Sequence, residues 1–425
     1  METFITTLTE ICLLDPWQTE ALEERINYAL FAYDGWVEQL VQRMIRLFPQ
    51  CPSNAELYHF LEQDGLLAWA RRQYRLQIHV YPLQPRAPQP LAAELPQIYS
   101  PGELVQWLGI SVNDLEWFAD RAGLANASSI GKFHHYHIKT IAKRRGGQRL
   151  LEIPKPTLKH IQRRIHDSLL IQLPRHPSAC GFIKTHNALD HARRHTGQAV
   201  VLSFDLQDCF LHVHGGQVFQ AFRSLGYSDQ LSRYWMALCT HRLTKAQLKQ
   251  QPLSSGQRQL AGQNHLPQGS PSSPLLSHFA LTMVDRRLSA LAGKFGANYS
   301  RYADDLVLSG GPQLQQHFRQ LEQIIGSIVR EQGFRLNFRK SRCLGQSSQQ
   351  RITGITVNQH SNMPRREFDR LKAELHNCVH LGWRSQKPAD CQDYRAHLRG
   401  RINWCRQLNP RRAEKLEKLF AAIVW

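Results

Sequence analysis

The sequence predicts an α+β fold in which helical segments flank a mixed central region. Two observations predict it. Apolar residues at helical spacing dominate the first 80 and the last 65 residues, whereas the middle alternates short apolar runs typical of buried strands with turns and helices. The 425 residues also exceed what one ordinary core accommodates, so we expect two or three domains.

Composition argues against two classes of protein. The chain is 42% hydrophobic but has no apolar run near 18 residues and no basic, apolar leader, so the sequence predicts neither a membrane span nor a secretory signal. Nine cysteines without a CxxC pair argue against a disulfide framework or a structural zinc site. We therefore expect a cytoplasmic protein that does not bind membranes.

Charge is distributed unevenly along the chain. Residues 1–80 carry a net charge of −5, whereas the whole chain carries +19, so the basic residues lie downstream. Such an excess is typical of proteins that neutralise a phosphate backbone and release its counterions. A solvated basic surface without nucleic acid is the alternative. The sequence thus favours a nucleic-acid partner for the region after residue 80.

Proline and capping signals divide the first part of the chain. Helical patterns fill residues 1–80, and five prolines in residues 81–96 indicate a stiff linker. Two short helices are then predicted from serine and acidic residues three positions apart, at Ser100 and at Ser111. These two helices indicate either a pair packed on the main domain or a helix-turn-helix.

A basic segment follows at residues 131–176, with 11 Lys plus Arg against 2 acidic residues. The stretch KRRGGQRLLEIP predicts a strand, a glycine turn and a second strand, and Thr157 is expected to cap the next helix. That helix presents Lys159 and Arg163 on faces away from its apolar stripe. The stripe consists of Leu158, Ile161, Ile165 and Leu169. We expect this segment to contact phosphates; a merely soluble surface is the alternative.

Carboxylates occur at the ends of predicted strands. The run QAVVLSFD ends in Asp205, and ANYSRYADDLVLSG predicts a hairpin with Asp304 and Asp305 at its tip. Their mutual repulsion is unfavourable unless a cation lies among them, and oxygen ligands suit Mg²⁺. Two such ions about 3.5 to 4 Å apart catalyse in-line displacement at phosphorus. A solvated bend is the alternative for the Asp-Asp pair taken alone.

The loop NHLPQGSPSSP at residues 264–274 combines proline, glycine and serine before an apolar helix. Gln268 and Gly269 lie at its bend, where glycine lets the backbone approach a ligand closely.

Taken in order, FDLQDCF, LPQGSPSSP, YADD, GFRLNFRK and RITGITVN resemble the motifs of reverse transcriptases. The resemblance covers roughly residues 100 to 425 and includes the basic segment. It is most similar to the bacterial retron-type branch, whose NAxxH element matches either NALDH at 187–191 or HARRH at 191–195. Cys209, where the family often has an aromatic residue, leaves a related defence-associated reverse transcriptase as an alternative.

The resemblance implies a right-hand polymerase with an antiparallel palm sheet. Fingers and palm would occupy residues 97–360, a basic helical thumb residues 361–425, and an additional helical module residues 1–80. Trp383, Trp404 and Trp425 of the thumb are expected in its core.

The resemblance also implies site residues. Asp205, Asp304 and Asp305, with the backbone carbonyl of Leu206, would hold two Mg²⁺ ions, Mn²⁺ being the alternative metal. Phe210 would clash with a 2′-hydroxyl and so select deoxynucleotides. The residues implied for nucleotide binding are Lys143, Arg149, Phe210, Gln268, Gly269 and Lys340. Of these, Lys340 would protonate or neutralise the departing pyrophosphate. The residues implied for RNA contact are Lys159, Arg163, Asn187, His191, His195, Thr353 and Gly354.

The function that the resemblance implies is RNA-directed DNA synthesis on a bound structured noncoding RNA, in defence against phage. The expected partners are that RNA as template and primer, the RNA–DNA hybrid product and deoxynucleoside triphosphates. An effector protein docked on residues 1–80, or a second copy of the chain, is a further expected partner. The alternatives are a defence-associated reverse transcriptase of another class, DNA synthesis without a template, and a nucleic-acid scaffold with an inactive site.

Overall fold

The structure is a computed structural model, and the residues that it describes are 2–13, 17–30, 32, 35–74, 76–78, 91–120, 134–143, 147–183 and 187–425. These residues divide into two compact units. Unit 1 comprises Met1–Pro174 and Asp208–Ala280, and unit 2 comprises Arg175–Gln207 and Leu281–Trp425. Residues 81–90 of the predicted linker lie outside the described residues. Both units combine helix and strand, which agrees with the predicted α+β class.

The helices of the described residues are α1 (Glu2–Cys12), α2 (Thr19–Leu30), α3 (Trp36–Leu47), α4 (Asn54–Gln63), α5 (Gly65–Tyr74), α6 (Pro101–Leu108), α7 (Val112–Ala119), α8 (Pro156–Ser168), α9 (Ala188–Arg193), α10 (Gly215–Ser224), α11 (Asp229–Cys239), α12 (Lys245–Gln250), α13 (Ser255–Ala261), α14 (Ser273–Ala280), α15 (Thr282–Lys294), α16 (Gln313–Gln316), α17 (Phe318–Glu331), α18 (Arg365–Leu381), α19 (Tyr394–Leu408) and α20 (Pro410–Ala421). The strands are β1 (Tyr136–Ala142), β2 (Gln148–Pro154), β3 (Val200–Asp205), β4 (Asn298–Tyr302), β5 (Asp305–Gly310), β6 (Arg342–Gly345), β7 (Arg351–Ile352) and β8 (Ile355–Thr356).

Helices α1 to α5 form the first part of unit 1, as the helical patterns of residues 1–80 predict. Their apolar faces pack around fully buried leucines such as Leu8, Leu22 and Leu40. Ser53 and Glu56 form a capping box at the start of α4. Whether these helices act as a separate module stays a prediction.

Helices α6 and α7 begin where the sequence places them. The Ser100 side chain accepts a hydrogen bond from the Glu103 backbone amide, and Ser111 and Asp114 form a capping box. Strands β1 and β2 pair antiparallel, with Tyr136 opposite Pro154. The two strands of the predicted hairpin and the two capped helices α6 and α7 are therefore confirmed, whereas residues 144–146 of the predicted glycine turn lie outside the described residues.

The predicted cap of α8 is wrong. The helix begins at Pro156 with Lys155 in the capping position, so Thr157 lies inside its first turn. Proline suits that turn because its φ is already helical and its missing N–H would have no partner there. The apolar stripe of α8 is buried as predicted, and Lys159 and Arg163 are exposed.

The described part of unit 2 contains a four-stranded antiparallel sheet in the order β4-β5-β3-β6. Strand β3 is central and buried on nearly its whole length, which accounts for its continuous apolar run. Its register places Val200 opposite Gly310 of β5 and Asp205 opposite Asp305. The sheet thus brings the end of β3 and the start of β5 to one edge.

Helices α18, α19 and α20 share a core of buried residues such as Leu375, Leu398 and Leu416. The partly buried residues that pack against this core include Trp383, Trp404 and Trp425, in agreement with the predicted core role. Within the described residues, no helix is long and apolar enough to cross a bilayer.

Candidate active site

Three carboxylates lie at one edge of the unit 2 sheet. Asp205 is the last residue of β3, Asp305 is the first residue of β5, and the two are paired across the strands. Asp304 lies in the turn between β4 and β5, and its backbone carbonyl accepts a hydrogen bond of 2.9 Å from the Leu206 amide. The structure therefore brings Asp205, Leu206, Asp304 and Asp305 together.

The proximity of these carboxylates shifts the pKa of Asp305. The pKa of the Asp305 carboxyl is raised to about 7, first by burial and then by the negative charges of Asp304 and Asp205. The ammonium of Lys340 opposes this shift without cancelling it. Burial and like charge both disfavour an ionised carboxylate, and the positive charge of a cation bound at this edge would offset both effects.

Asp205 is held by the segment that follows α17. The Lys340 Nζ donates to Asp205 Oδ1 at 2.7 Å, and the Asn337 Nδ2 donates to Asp205 Oδ2 at 3.3 Å. The Asn337 backbone amide also donates to the Asp205 backbone carbonyl at 2.8 Å. Lys340 lies in a short helical turn, Phe338–Lys340, and its side chain contacts the Asp205 carboxylate. Its predicted contact with pyrophosphate stays a prediction.

The donor set at this edge suits a hard divalent cation. Among the described residues, no group of three or more acidic, histidine or cysteine side chains is arranged to hold a metal ion by itself. Mg²⁺ does not need one, because it uses one or two carboxylates and completes its octahedron with water and substrate phosphates. The oxygen donors and the raised pKa of Asp305 therefore fit such an ion.

Unit 1 contains the residues implied for nucleotide binding, apart from Lys340. The Lys143 Nζ donates to Asp208 Oδ1 at 3.0 Å, and the Gln257 side chain donates to the same oxygen at 3.2 Å. Arg149 is exposed on β2, and Phe210 is half-buried in the turn Cys209–His212. The Asp208 contact was not predicted, although this residue lies within the FDLQDCF motif.

The loop with Gln268 and Gly269 is fixed against β2. The Glu152 backbone amide donates to the Gln268 carbonyl at 3.0 Å. Gly269 has φ +140°, and a Cβ at this position would lie 2.8 Å from the Glu152 carbonyl oxygen. The position therefore requires glycine, both for its backbone conformation and for the close approach to β2.

The side chain of Glu152 is fully buried between two histidines. Its Oε1 lies 2.6 Å from His241 Nδ1, and its Oε2 lies 2.8 Å from His265 Nε2. Burial opposes ionisation, but the charge of His265 and the hydrogen bonds from both rings lower the pKa of Glu152 to about 2. Sequence reasoning missed this cluster, whose one signal is an acidic residue inside the apolar strand LLEIP.

The residues predicted to contact RNA fall into two groups. Asn187 is exposed and caps α9. Thr353 and Gly354 form the turn between β7 and β8, and the Thr353 hydroxyl donates to the Ala188 carbonyl at 3.2 Å. These positions, with Lys159 and Arg163, stay predictions.

His191 and His195 require a correction, because both side chains are 0% exposed. The two ring nitrogens of His195 lie 2.7 and 2.6 Å from the hydroxyls of Ser309 and Ser300. Burial is the main cause that lowers the pKa of His191 to about 4 and that of His195 to about 3. Both rings are therefore neutral near pH 7 and buried, which is unsuitable for contact with a phosphate backbone.

Comparison with known proteins identifies relatives along most of the chain. Residues 141–357 match a family model described as reverse transcriptase (RNA-dependent DNA polymerase). The chain is 35% identical over 295 residues to the retron Mx65 reverse transcriptase of Myxococcus xanthus, covering 68% of this chain and 64% of that protein. It is 30% identical over 245 residues to the retron Ec86 reverse transcriptase of Escherichia coli, covering 57% and 69%.

The chain therefore spans less than two thirds of the Mx65 protein. A likeness to telomerase from Candida albicans, solved with a fragment of telomeric RNA, has 12% identity and a TM-score of 0.35 over 67% of this chain and 56% of that one.

Proposed function

We propose that this chain, which belongs to the reverse transcriptase family and within it to the retron type, copies a bound structured noncoding RNA into DNA. The observation that carries the proposal is the meeting of Asp205, Asp304 and Asp305 at one sheet edge, where Asp305 has a raised pKa. Strongly shifted carboxyls that face like charges are typical of catalytic sites.

Asp205, Asp304 and Asp305, with the Leu206 carbonyl, would hold two Mg²⁺ or Mn²⁺ ions. When bound, such a pair activates a primer hydroxyl and stabilises the leaving pyrophosphate. The protein supplies the carboxylates, and an ionised Asp305 side chain would serve as one of the oxygen ligands of the cation. Lys340 partly neutralises Asp205 until then, because its ammonium lies 2.7 Å from Oδ1.

We assign the right-hand polymerase architecture from membership of the reverse transcriptase family. The β1–β2 hairpin and α8 correspond to fingers, the unit 2 sheet to the palm, and α18 to α20 to the thumb. Lys143, Arg149, Gln268 and Gly269 would bind the incoming deoxynucleoside triphosphate. Phe210 would exclude ribonucleotides, because its ring would clash with a 2′-hydroxyl.

The basic surface supports an RNA partner. Lys159 and Arg163 are exposed on α8, and residues 361–425 carry 14 Lys plus Arg against 7 acidic residues. A-form duplexes are recognised through backbone, shape and 2′-hydroxyls, which such a surface suits. Residues 361–425 would contact the RNA–DNA hybrid product as well.

Three further assignments complete the proposal. The protein acts in the cytoplasm, contributes to defence against phage, and binds an effector protein or a second copy through residues 1–80, which carry a net charge of −5. If a chain without residues 1–80 kept both complex formation and phage protection, this docking role would be refuted.

The decisive experiment is to purify the protein from its native cell and to sequence the bound nucleic acid after separate RNase and DNase treatments. The paired variant Asp304→Ala, Asp305→Ala is the test, and Asp369→Ala, an exposed acid on α18, is the matched control. The proposal predicts DNA joined to one structured RNA in wild type and control but not in the paired variant.

Other products would separate the alternatives. DNA unrelated to the bound RNA indicates synthesis without a template, and DNA copied from another RNA indicates a different defence-associated class. RNA without DNA in every sample indicates a scaffold and would contradict the proposal.

A further inference from the structure

Arg301 is fully buried in β4, two residues before the turn that carries Asp304. Its Nε donates to Asp285 Oδ1 at 2.8 Å and its Nη2 donates to Asp285 Oδ2 at 2.6 Å. The Tyr299 hydroxyl donates to Asp285 Oδ1 at 2.7 Å. A buried guanidinium and a buried carboxylate thus form a bidentate pair, the geometry in which such pairs are strongest.

The third arm of the guanidinium reaches the turn itself. The Arg301 Nη1 donates to the Ala303 carbonyl at 3.0 Å. Ala303 has φ +57°, a left-handed conformation that is unfavourable for a residue with a Cβ by about 1 kcal/mol. Ala303 immediately precedes Asp304, so this hydrogen bond acts on the peptide that orients the Asp304–Asp305 pair.

The neighbouring segment supports the same turn from its other side. The Cys180 amide donates to the Arg301 carbonyl at 2.7 Å, and the Arg301 amide donates to the Ser178 carbonyl at 2.8 Å. A Cβ on Gly181 would lie 2.7 Å from the Ala303 nitrogen, so the backbone of this segment approaches the turn closely. The Ala303 turn is therefore contacted both by the Arg301 guanidinium and by the backbone at Gly181.

We propose that Arg301, oriented by Asp285, is a positioning residue that fixes the Ala303 turn and thereby the Asp304–Asp305 carboxylates for cation binding. The inference rests on the proposed function and adds a role for a residue that touches neither substrate nor metal. Lysine cannot substitute, because one ammonium cannot bond both Asp285 oxygens and the Ala303 carbonyl in the planar geometry of a guanidinium.

The test compares Arg301→Lys with Arg287→Lys. Arg287 is a matched control because it pairs with Glu331 on the surface of the same unit. The readouts are the Mg²⁺ concentration for half-maximal deoxynucleotide incorporation, the KM for deoxynucleotide, and the rise in Tm on adding Mg²⁺. We expect Arg301→Lys to need about tenfold more Mg²⁺ and to lose most of the Tm rise, because a small misplacement of reactive groups has large effects.

Two results separate positioning from a general structural role. The KM for deoxynucleotide should stay within about twofold of wild type in both variants, and Ala303→Gly in the Arg301→Lys background should recover part of the Mg²⁺ affinity. Glycine adopts φ +57° without strain, so it reduces the need for the guanidinium. Wild-type Mg²⁺ dependence in folded Arg301→Lys, or no recovery with glycine, would overturn the inference.

A further variant decides the matter if Arg301→Lys does not fold. Ala303→Val leaves Arg301 and Asp285 intact but disfavours the left-handed turn, so it should raise the Mg²⁺ requirement; an unchanged requirement overturns the inference. Failure of the proposed function is distinguishable. An inactive wild-type protein would refute polymerase activity, whereas the Mg²⁺-induced rise in Tm still reports whether Arg301 positions a cation site.

Discussion

Units 1 and 2 each hold a carboxylate beside other ionisable groups, fully buried in Glu152 and half-buried in Asp305, and the pKa values of the two shift in opposite directions. Glu152 of unit 1 lies between His241 and His265, and its pKa is lowered to about 2 despite its burial. Asp305 of unit 2 lies beside Asp304 and Asp205, and its pKa is raised to about 7.

The difference teaches how to separate a structural carboxylate from a functional one. Glu152 has hydrogen bonds at both oxygens and a histidine with a raised pKa, His265, at one of them, so it stabilises the fold. Its backbone amide also fixes β2 beside the Gln268–Gly269 loop. Asp305 is crowded by like charges, an arrangement that lowers stability until a cation arrives. The first arrangement is complete within the protein, and the second is the one that we propose to bind a cation.

The largest expected effect concerns Asp305. Asp305→Asn should reduce deoxynucleotide incorporation by about a thousandfold, because it removes a charge that would bind the cations. Its Tm without metal should equal or exceed that of wild type, because the amide removes like-charge repulsion. Incorporation assays and thermal melts measure the two effects, and Asp369→Asn on α18 is the control. A lower Tm together with full activity would contradict the functional assignment.

Glu152→Gln should show the opposite pattern. Breaking a buried charged cluster leaves the histidines without their partner, and we expect the free energy of unfolding to fall by about 3 kcal/mol. Urea denaturation measures this change, with exposed Asp167→Asn of the same unit as the control. If Glu152→Gln were as stable as wild type, the comparison between the two carboxylates would fail.

Gly269→Ala tests the loop that Glu152 supports. The added Cβ would lie 2.8 Å from the Glu152 carbonyl at φ +140°, so we expect a loss of about 2 kcal/mol in unfolding free energy. The KM for deoxynucleotide should also rise as the loop shifts. Gly293→Ala in α15 is the matched control, since nothing lies within 4 Å of its Cβ position. Equal effects of the two variants would refute a specific role for Gly269.

The smallest expected effect is a pH dependence. The folded pKa of Asp305 is raised from 3.8 to about 7, so the folded state binds the extra proton between these values. Its contribution to stability is present below pH 4 and lost as the pH rises through about 7. Mg²⁺ should therefore raise the Tm more at pH 8 than at pH 6, by roughly 3 °C.

Thermal melts of wild type and Asp305→Asn, each with and without Mg²⁺, measure this contribution as a difference. Glu152 titrates outside this range, because its contribution is lost only as the pH falls toward about 2. An identical Mg²⁺ response at both pH values would contradict the account of Asp305.

Local patterns were enough to predict the carboxylate edge. Apolar runs mark β3 and β5, and the register of an antiparallel sheet then places Asp205 opposite Asp305. The Asp285–Arg301 and Glu152–His265 contacts were missed because 16 and 113 residues separate the partners, and periodicity reports only local structure. His191 and His195 were misassigned because a motif does not show which side chains are buried.

Local sequence patterns could not predict the division of the chain into two units either. The sequence predicts a continuous region at residues 97–360, whereas the chain passes between units after Pro174, Gln207 and Ala280. Among these points, Gln207 lies two residues after Asp205, the last residue of β3, and no change of composition marks it. Long-range packing sets such boundaries, so the predicted domain limits stay predictions.

The most direct test of the central claim is primer extension by the purified protein on a defined RNA template, with four deoxynucleoside triphosphates and a Mg²⁺ titration. The account predicts DNA complementary to the template, dependent on Mg²⁺, and absent with Asp305→Asn. DNA made equally well by Asp305→Asn, or no template-directed DNA from a folded protein that binds the RNA and Mg²⁺, would contradict it.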